Sequence, residues 1–223
     1  MSNIMFKSLT FYREIKTVSD SSKNENILDP NEKIFSSEEL FNPKFDKIGY
    51  IQVYTGDGKG KTTASLGLTM RALGRGWKVL IVMFAKGGDE YGELFSFREL
   101  SPKLMNQLKI IQAGLDRIVY KDNLTEKDRN AVAYGWKMAK QAIQSDEFDL
   151  IVLDEANIAI ELGLISLEEM KDFLKNKPSS LEIVLTGRHA HPEIVELAHL
   201  VSEINPVKHY WDIGVTARKG IEY

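Results

Sequence analysis

The chain has 223 residues, enough for one substantial core, and its 29 basic against 32 acidic residues leave a net charge of −3. A content of 43% hydrophobic and 27% charged residues excludes a fibrous or wholly disordered chain, and without a basic excess nucleic acid is not an expected partner. There is no cysteine, which excludes disulfides, thiolate metal sites and cysteine nucleophiles, and no apolar run approaches membrane-spanning length, so a cytoplasmic protein with no membrane partner is expected.

Residues 1–46 read as an N-terminal arm. The polar run from Ser19 to Asn26, then Asp29-Pro30-Asn31 and Asn42-Pro43, interrupts any sustained apolar pattern. A short helix is expected from Ile4 to Ile15, with Phe6, Leu9, Phe11 and Tyr12 available to cover another surface as a lid. From residue 47 the texture changes to short β-rich runs alternating with longer helical ones, which predicts an α/β fold. Strands are expected at Tyr50–Tyr54, Lys78–Phe84, Leu108–Gln112, Leu150–Leu153, Glu182–Leu185 and Leu200–Glu203. The unbroken run Val79-Leu80-Ile81-Val82-Met83-Phe84 has no period-two alternation, as a strand covered on both faces requires, so the sheet of about six strands is expected to be mostly parallel with flanking helices. One helix should open at Lys61 and stop near Gly74-Arg75-Gly76. A second follows Thr125 and reaches about Gln144, a third follows Ser166, and a fourth begins at Pro192. Of the two candidate capping boxes, Ser166-Leu167-Glu168-Glu169 matches the pattern better than Thr125-Glu126-Lys127-Asp128.

The most informative residues lie between the first strand and the first helix: Thr55-Gly56-Asp57-Gly58-Lys59-Gly60-Lys61-Thr62-Thr63. Three glycines let the backbone curl with its N–H groups inward, the helix adds its positive end, and Lys61 supplies an ammonium for the outer phosphates. Thr62 then presents a hydroxyl where Mg²⁺ bridging two phosphate groups finds a ligand. The common form of this loop has glycine where Thr55 stands. Downstream, Leu150-Ile151-Val152-Leu153-Asp154-Glu155 is an apolar strand ending in two carboxylates. In a parallel sheet, strand ends of one polarity share an edge, so Asp154 and Glu155 can face the loop and hold Mg²⁺. His189, His191, His199 and His209 lack metal-ligand spacing and are read as structural or surface residues. Trp136 is read as helix-face packing and Trp77 as core.

The loop, together with Arg71-Ala72-Leu73-Gly74-Arg75-Gly76, Lys86-Gly87, Asp154-Glu155-Ala156-Asn157, Thr186-Gly187-Arg188 and the tail from Asn205-Pro206-Val207-Lys208-His209 to Lys219-Gly220-Ile221-Glu222-Tyr223, resembles the phosphate-loop ATP:corrinoid adenosyltransferases over about residues 49–223. The resemblance implies a RecA-like nucleotide-binding fold and an enzyme that transfers the 5′-deoxyadenosyl group of ATP to the Co(I) of a corrinoid, cob(I)alamin or a cobinamide-type compound. Triphosphate is released, in adenosylcobalamin biosynthesis or salvage. It implies that Gly56, Asp57, Gly58, Lys59, Gly60, Lys61, Thr62 and Thr63 bind the triphosphate, that Lys61, Thr62 and Glu155 serve catalysis, and that Thr62 and Glu155 coordinate Mg²⁺ with Asp154 in support. Arg71 and Arg188 are candidates for nucleotide or corrinoid contacts. A homodimer and a flavoprotein reductant also follow from the resemblance. The family carries an aromatic pair after the third strand; here Leu115-Asp116-Arg117-Ile118-Val119-Tyr120 offers only Tyr120, and Tyr210, Trp211 or the arm aromatics are the alternatives. Two other functions fit the loop itself: a phosphate-loop ATPase or kinase, which would release ADP, and a nucleotide sensor without turnover.

Overall fold

All six predicted strands occur, with ends shifted by at most one residue, in a computed structural model that describes residues 48–117 and 119–223. The expected arm and its helix lie outside the described residues. In chain order the elements are β1 (Ile51–Thr55), α1 (Lys61–Gly74), β2 (Val79–Phe84), α2 (Gly92–Arg98), α3 (Pro102–Met105), β3 (Leu108–Ala113), α4 (Glu126–Ser145), β4 (Leu150–Asp154), α5 (Ala156–Glu161), α6 (Leu167–Lys175), β5 (Glu182–Thr186), α7 (Pro192–Leu197) and β6 (Leu200–Glu203). Short 3₁₀ turns cover Lys121–Asn123 and Tyr210–Ile213.

The strands form one sheet in the order β3-β2-β4-β5-β1-β6. Every pairing is parallel. All strand carboxyl ends therefore point to one edge. A single strand, β5, separates the one that feeds the glycine loop from the one that ends in Asp154.

Alternation along the buried strands builds a three-layer core. Leu80, Val82 and Phe84 of β2 face the layer of α4, α5 and α6, joined by Trp136, Ala139, Ala159 and Met170. Val79, Ile81 and Met83 point the other way, against Leu73 of α1 and Leu94 and Phe97 of α2. Burial on both faces explains why β2, β4 and β5 are apolar throughout, whereas β6 at the sheet edge is exposed along its length. Trp136 packs on Phe173 with ring centroids 5.0 Å apart, and Trp77 packs against the α1 side of the core.

The order of the two helix caps is the reverse of that expected. Thr125 and Asp128 form the reciprocal box, whereas Ser166 only accepts from the Glu169 N–H. The Glu169 carboxylate is engaged elsewhere, accepting from Trp136 Nε1 at 3.1 Å and Lys140 at 3.2 Å. A cap side chain claimed by a neighbouring helix cannot return to its own N-terminus. Among the described residues no helix is long and apolar enough to cross a membrane.

Candidate functional site

The glycine loop leaves β1 at the carboxyl edge of the sheet and is held by two backbone bonds to one residue, Ile204. Thr55 O accepts from the Ile204 N–H at 2.8 Å, and the Gly58 N–H donates to Ile204 O at 2.6 Å, so the loop lies directly on the segment that follows β6. A Cβ at Gly58 would stand 2.7 Å from that carbonyl oxygen, closer than real Cβ contacts permit. Glycine is therefore required there by backbone contact.

Lys61 is buried at the first position of α1, and its ammonium donates to the carbonyls of Gly56 and Gly58 at 2.6 and 2.7 Å. Burial depresses its pKa. Thr62, next in the helix, donates from Oγ1 to Asp154 Oδ1 at 2.9 Å. Asp154, 1% exposed, is the hub: the same Oδ1 accepts from Thr186 Oγ1 at 2.6 Å, and Oδ2 accepts from Lys86 Nζ at 2.7 Å. The Thr186 hydroxyl also accepts from the Glu155 N–H at 3.0 Å, tying both acids to the end of β5. Glu155 holds a left-handed backbone, φ 57°, at the turn into α5. Burial raises its carboxyl above the ordinary range, with Asp154 adding to the effect against the pull of Lys86 and Lys61.

Loop and acids thus meet as expected. Two further residues belong to the cluster although they were not among the predicted site residues. Thr186 is the last residue of β5, and Lys86 follows β2 by two. The Lys86 ammonium is 3.0 Å from Thr62 Oγ1 and 3.8 Å from Glu155 Oε1, in addition to its bond to Asp154. Burial alone would lower its pKa, but Asp154 and Glu155 outweigh that and raise it.

Thr62 Oγ1 and the two carboxylates are hard oxygen donors of the kind Mg²⁺ selects. They also already surround a cation, the Lys86 ammonium, so the pocket has the charge and donors to suit a metal ion. Among the described residues no group of three or more His, Cys, Asp or Glu side chains is placed to hold a metal ion by itself.

The other predicted residues are placed further out. Asp57 is exposed and lies 3.8 Å from Arg188 and 3.9 Å from His189, bringing Arg188 to the loop. Lys59 turns outward to the tail, donating to Ile221 O at 2.5 Å and standing 3.6 Å from Glu222. Glu222 is itself held by the Arg218 guanidinium and by Tyr210, and these bonds lower its pKa to about 2. Thr63 is exposed on the first turn of α1. Arg71 is exposed on the same helix ten residues beyond Lys61, roughly 15 Å along its axis at 1.5 Å per residue, and is not brought to the loop. Tyr120 and Trp211 are exposed, at 62% and 67%. The histidines take structural partners: His191 caps α7, His199 Nδ1 accepts from the Ile51 N–H at 3.1 Å, and His189 pairs with Glu161 at 2.9 Å.

Comparison with known proteins adds identity to this geometry. The family model described as ATP:corrinoid adenosyltransferase BtuR/CobO/CobP matches residues 47–223. Corrinoid adenosyltransferases of Escherichia coli and Salmonella typhimurium are 37% and 36% identical over 178 residues, covering 80% of this chain and 87% of theirs. That of Pseudomonas aeruginosa is 33% identical over 178 residues, 80% of this chain and 85% of its own. The chain belongs to the ATP:corrinoid adenosyltransferase family.

Proposed function

We propose that the protein transfers the 5′-deoxyadenosyl group of ATP to the Co(I) of a corrinoid and releases triphosphate. The observation that carries this reading is a glycine loop of the family's form, joined through Thr62 to the acidic end of β4, within a chain that matches the family from residue 47 to 223. The RecA-like arrangement fits the strand order, in which β5 lies between the loop strand and the acidic strand.

The Co(I) centre supplies the electron pair that forms the cobalt–carbon bond. The C5′–O5′ bond breaks, its electrons leave with the triphosphate, and cobalt becomes formally Co(III). The nucleophile carries no proton, so the reaction needs no general base, and the protein's part is position and charge. Lys61 has three N–H donors, of which two hold the loop carbonyls and one is left for a phosphate oxygen. The start of α1 and the remaining Lys61 donor would face the same phosphates, where negative charge grows as the bond to carbon breaks, so they would stabilise the transition state more than bound ATP. Thr62 and Glu155, with Asp154 behind them, would hold Mg²⁺, which when bound would add to the neutralisation of that charge. Arg188 contacts the nucleotide or corrinoid from its place beside Asp57.

The protein acts in the cytoplasm as a homodimer and draws electrons for cobalt from a flavoprotein. The test is incubation with Mg²⁺, ATP and a chemically reduced corrinoid. The adenosyl–cobalt absorption spectrum should replace that of Co(I); a Co(I) spectrum that persists beside intact ATP overturns the reading.

A further inference from the structure

Lys86 is the cationic member of the acidic cluster, and neither the loop motif nor the acidic strand assigns it a task. It nonetheless reaches both acids and the threonine. Its ammonium touches Asp154 at 2.7 Å and Thr62 Oγ1 at 3.0 Å, and lies 3.8 Å from Glu155, so it faces all three oxygen donors suited to a divalent cation. The side chain is 16% exposed.

The backbone is built to deliver it there. Ala85 turns the chain with φ 52° directly after β2, and its N–H donates to Ala113 O at 3.2 Å. Gly114 lies so close beneath that a Cβ on it would stand 2.3 Å from the Lys86 backbone nitrogen. A lysine fixed at its backbone, with its charge at the centre of three oxygen donors, has the geometry of a resident counter-ion.

We infer that Lys86 is a place-holding cation: its ammonium occupies the divalent-cation position while the site is empty of nucleotide, and it yields that position, turning to the phosphates, when metal and nucleotide enter together. The benefit lies in charge. Asp154 is buried, and two adjacent carboxylates without a counter-ion would repel each other with their hydration lost; the ammonium offsets both costs. The same arrangement makes the empty site reject a free divalent cation, because the metal alone brings no new partner for the displaced ammonium, whereas metal with triphosphate does. Lys86 is in this account a positioning residue that couples metal binding to nucleotide binding.

This inference rests on the site being one for metal and nucleotide, so the test begins with the wild-type protein. Calorimetry should detect MgATP binding; if it does not, the proposed function and this inference fall together. Next, Mn²⁺ alone is titrated into nucleotide-free protein and followed by electron paramagnetic resonance. Lys86→Gln should bind Mn²⁺ about tenfold or more tightly than wild type, since the internal competitor is gone. Its melting temperature without metal should fall below wild type and recover on adding Mn²⁺. Lys86→Arg keeps the charge and the fold while forking onto the carboxylate, so it should raise the Mg²⁺ concentration needed for half-maximal ATP binding. That variant decides the matter if Lys86→Gln does not fold. Normal MgATP binding by wild type, together with unchanged Mn²⁺ affinity in Lys86→Gln or an unchanged Mg²⁺ requirement in Lys86→Arg, would overturn the inference and leave the proposed function standing.

Discussion

Thr186→Val removes one hydroxyl and keeps the shape of the side chain. Thr186 is fully buried, donates to Asp154 Oδ1 at 2.6 Å and accepts from the Glu155 N–H at 3.0 Å. A hydrogen bond to a charged group contributes roughly 1.5–3 kcal/mol and a neutral one about 1 kcal/mol, so the loss should total about 2.5–4 kcal/mol. Thr62 and Lys86 still donate to Asp154, which keeps the cost below that of an uncompensated buried charge. For a domain of this size the melting temperature should fall by about 5–15 °C. Thr186→Ser retains donor and acceptor and should stay within about 1 kcal/mol of wild type. Urea unfolding and calorimetry measure both variants, and calorimetric titration with MgATP should show weakened binding for Val but not for Ser. If Val unfolds with wild-type stability, or if Ser is as damaging as Val, the hydroxyl bridge between β5 and the two acids does not stabilise the site as argued.

Gly58→Ala forces a methyl to within 2.7 Å of Ile204 O and disrupts the 2.6 Å bond from the Gly58 N–H; a loss of about 1–3 kcal/mol and of ATP binding is expected by urea unfolding and ligand titration. Asp128 is buried and accepts from the Thr125 N–H at 2.8 Å, its hydroxyl at 2.6 Å, and Arg117. Burial raises its pKa, but these bonds outweigh that and hold it below the ordinary value, so its contribution is present above about pH 3.9 and is lost as the pH falls through the lower folded value. Asp128→Asn should therefore cost about 2–3 kcal/mol at pH 7 in denaturant unfolding, with the difference from wild type shrinking towards pH 3. Deleting Ile221–Tyr223 frees Lys59 from its two tail partners; the ATP KM should rise roughly fivefold, equivalent to about 1 kcal/mol of lost preorganisation, with little change in melting temperature.

The strands were legible because doubly covered β-strands need continuous apolar residues, and Val79 to Phe84 and Leu150 to Leu153 provide them. Their order in the sheet was not, since nothing local tells β1 that its neighbours are β5 and β6, more than a hundred residues away. The helices α2, α3 and α5 escaped prediction because seven, four and six residues are too few turns to display a 3.6-residue period. Within the site, the glycine loop and Asp154-Glu155 were readable as contiguous motifs. Lys86 and Thr186 stood out only as parts of the resemblance, with no role in the site, because their tie to Asp154 spans 68 and 32 residues and exists only once the sheet forms. One signal was available: both stand at the carboxyl ends of strands, where a parallel sheet gathers polar residues onto the loop edge. The reversed ranking of the two helix caps has the same origin, since the competing donors on Trp136 and Lys140 belong to another helix.

The central claim is that the 5′ carbon of ATP, and no phosphorus atom, is the point of attack. ATP carrying ¹⁸O in the bridge between C5′ and the α-phosphorus tests it directly when supplied with Mg²⁺ and a reduced corrinoid and followed by phosphorus NMR. Attack at carbon leaves the labelled oxygen as a terminal atom on released triphosphate, in step with formation of the cobalt–carbon bond. Release of ADP with the label still bridging to ribose would contradict the account and point to cleavage at the γ-phosphate.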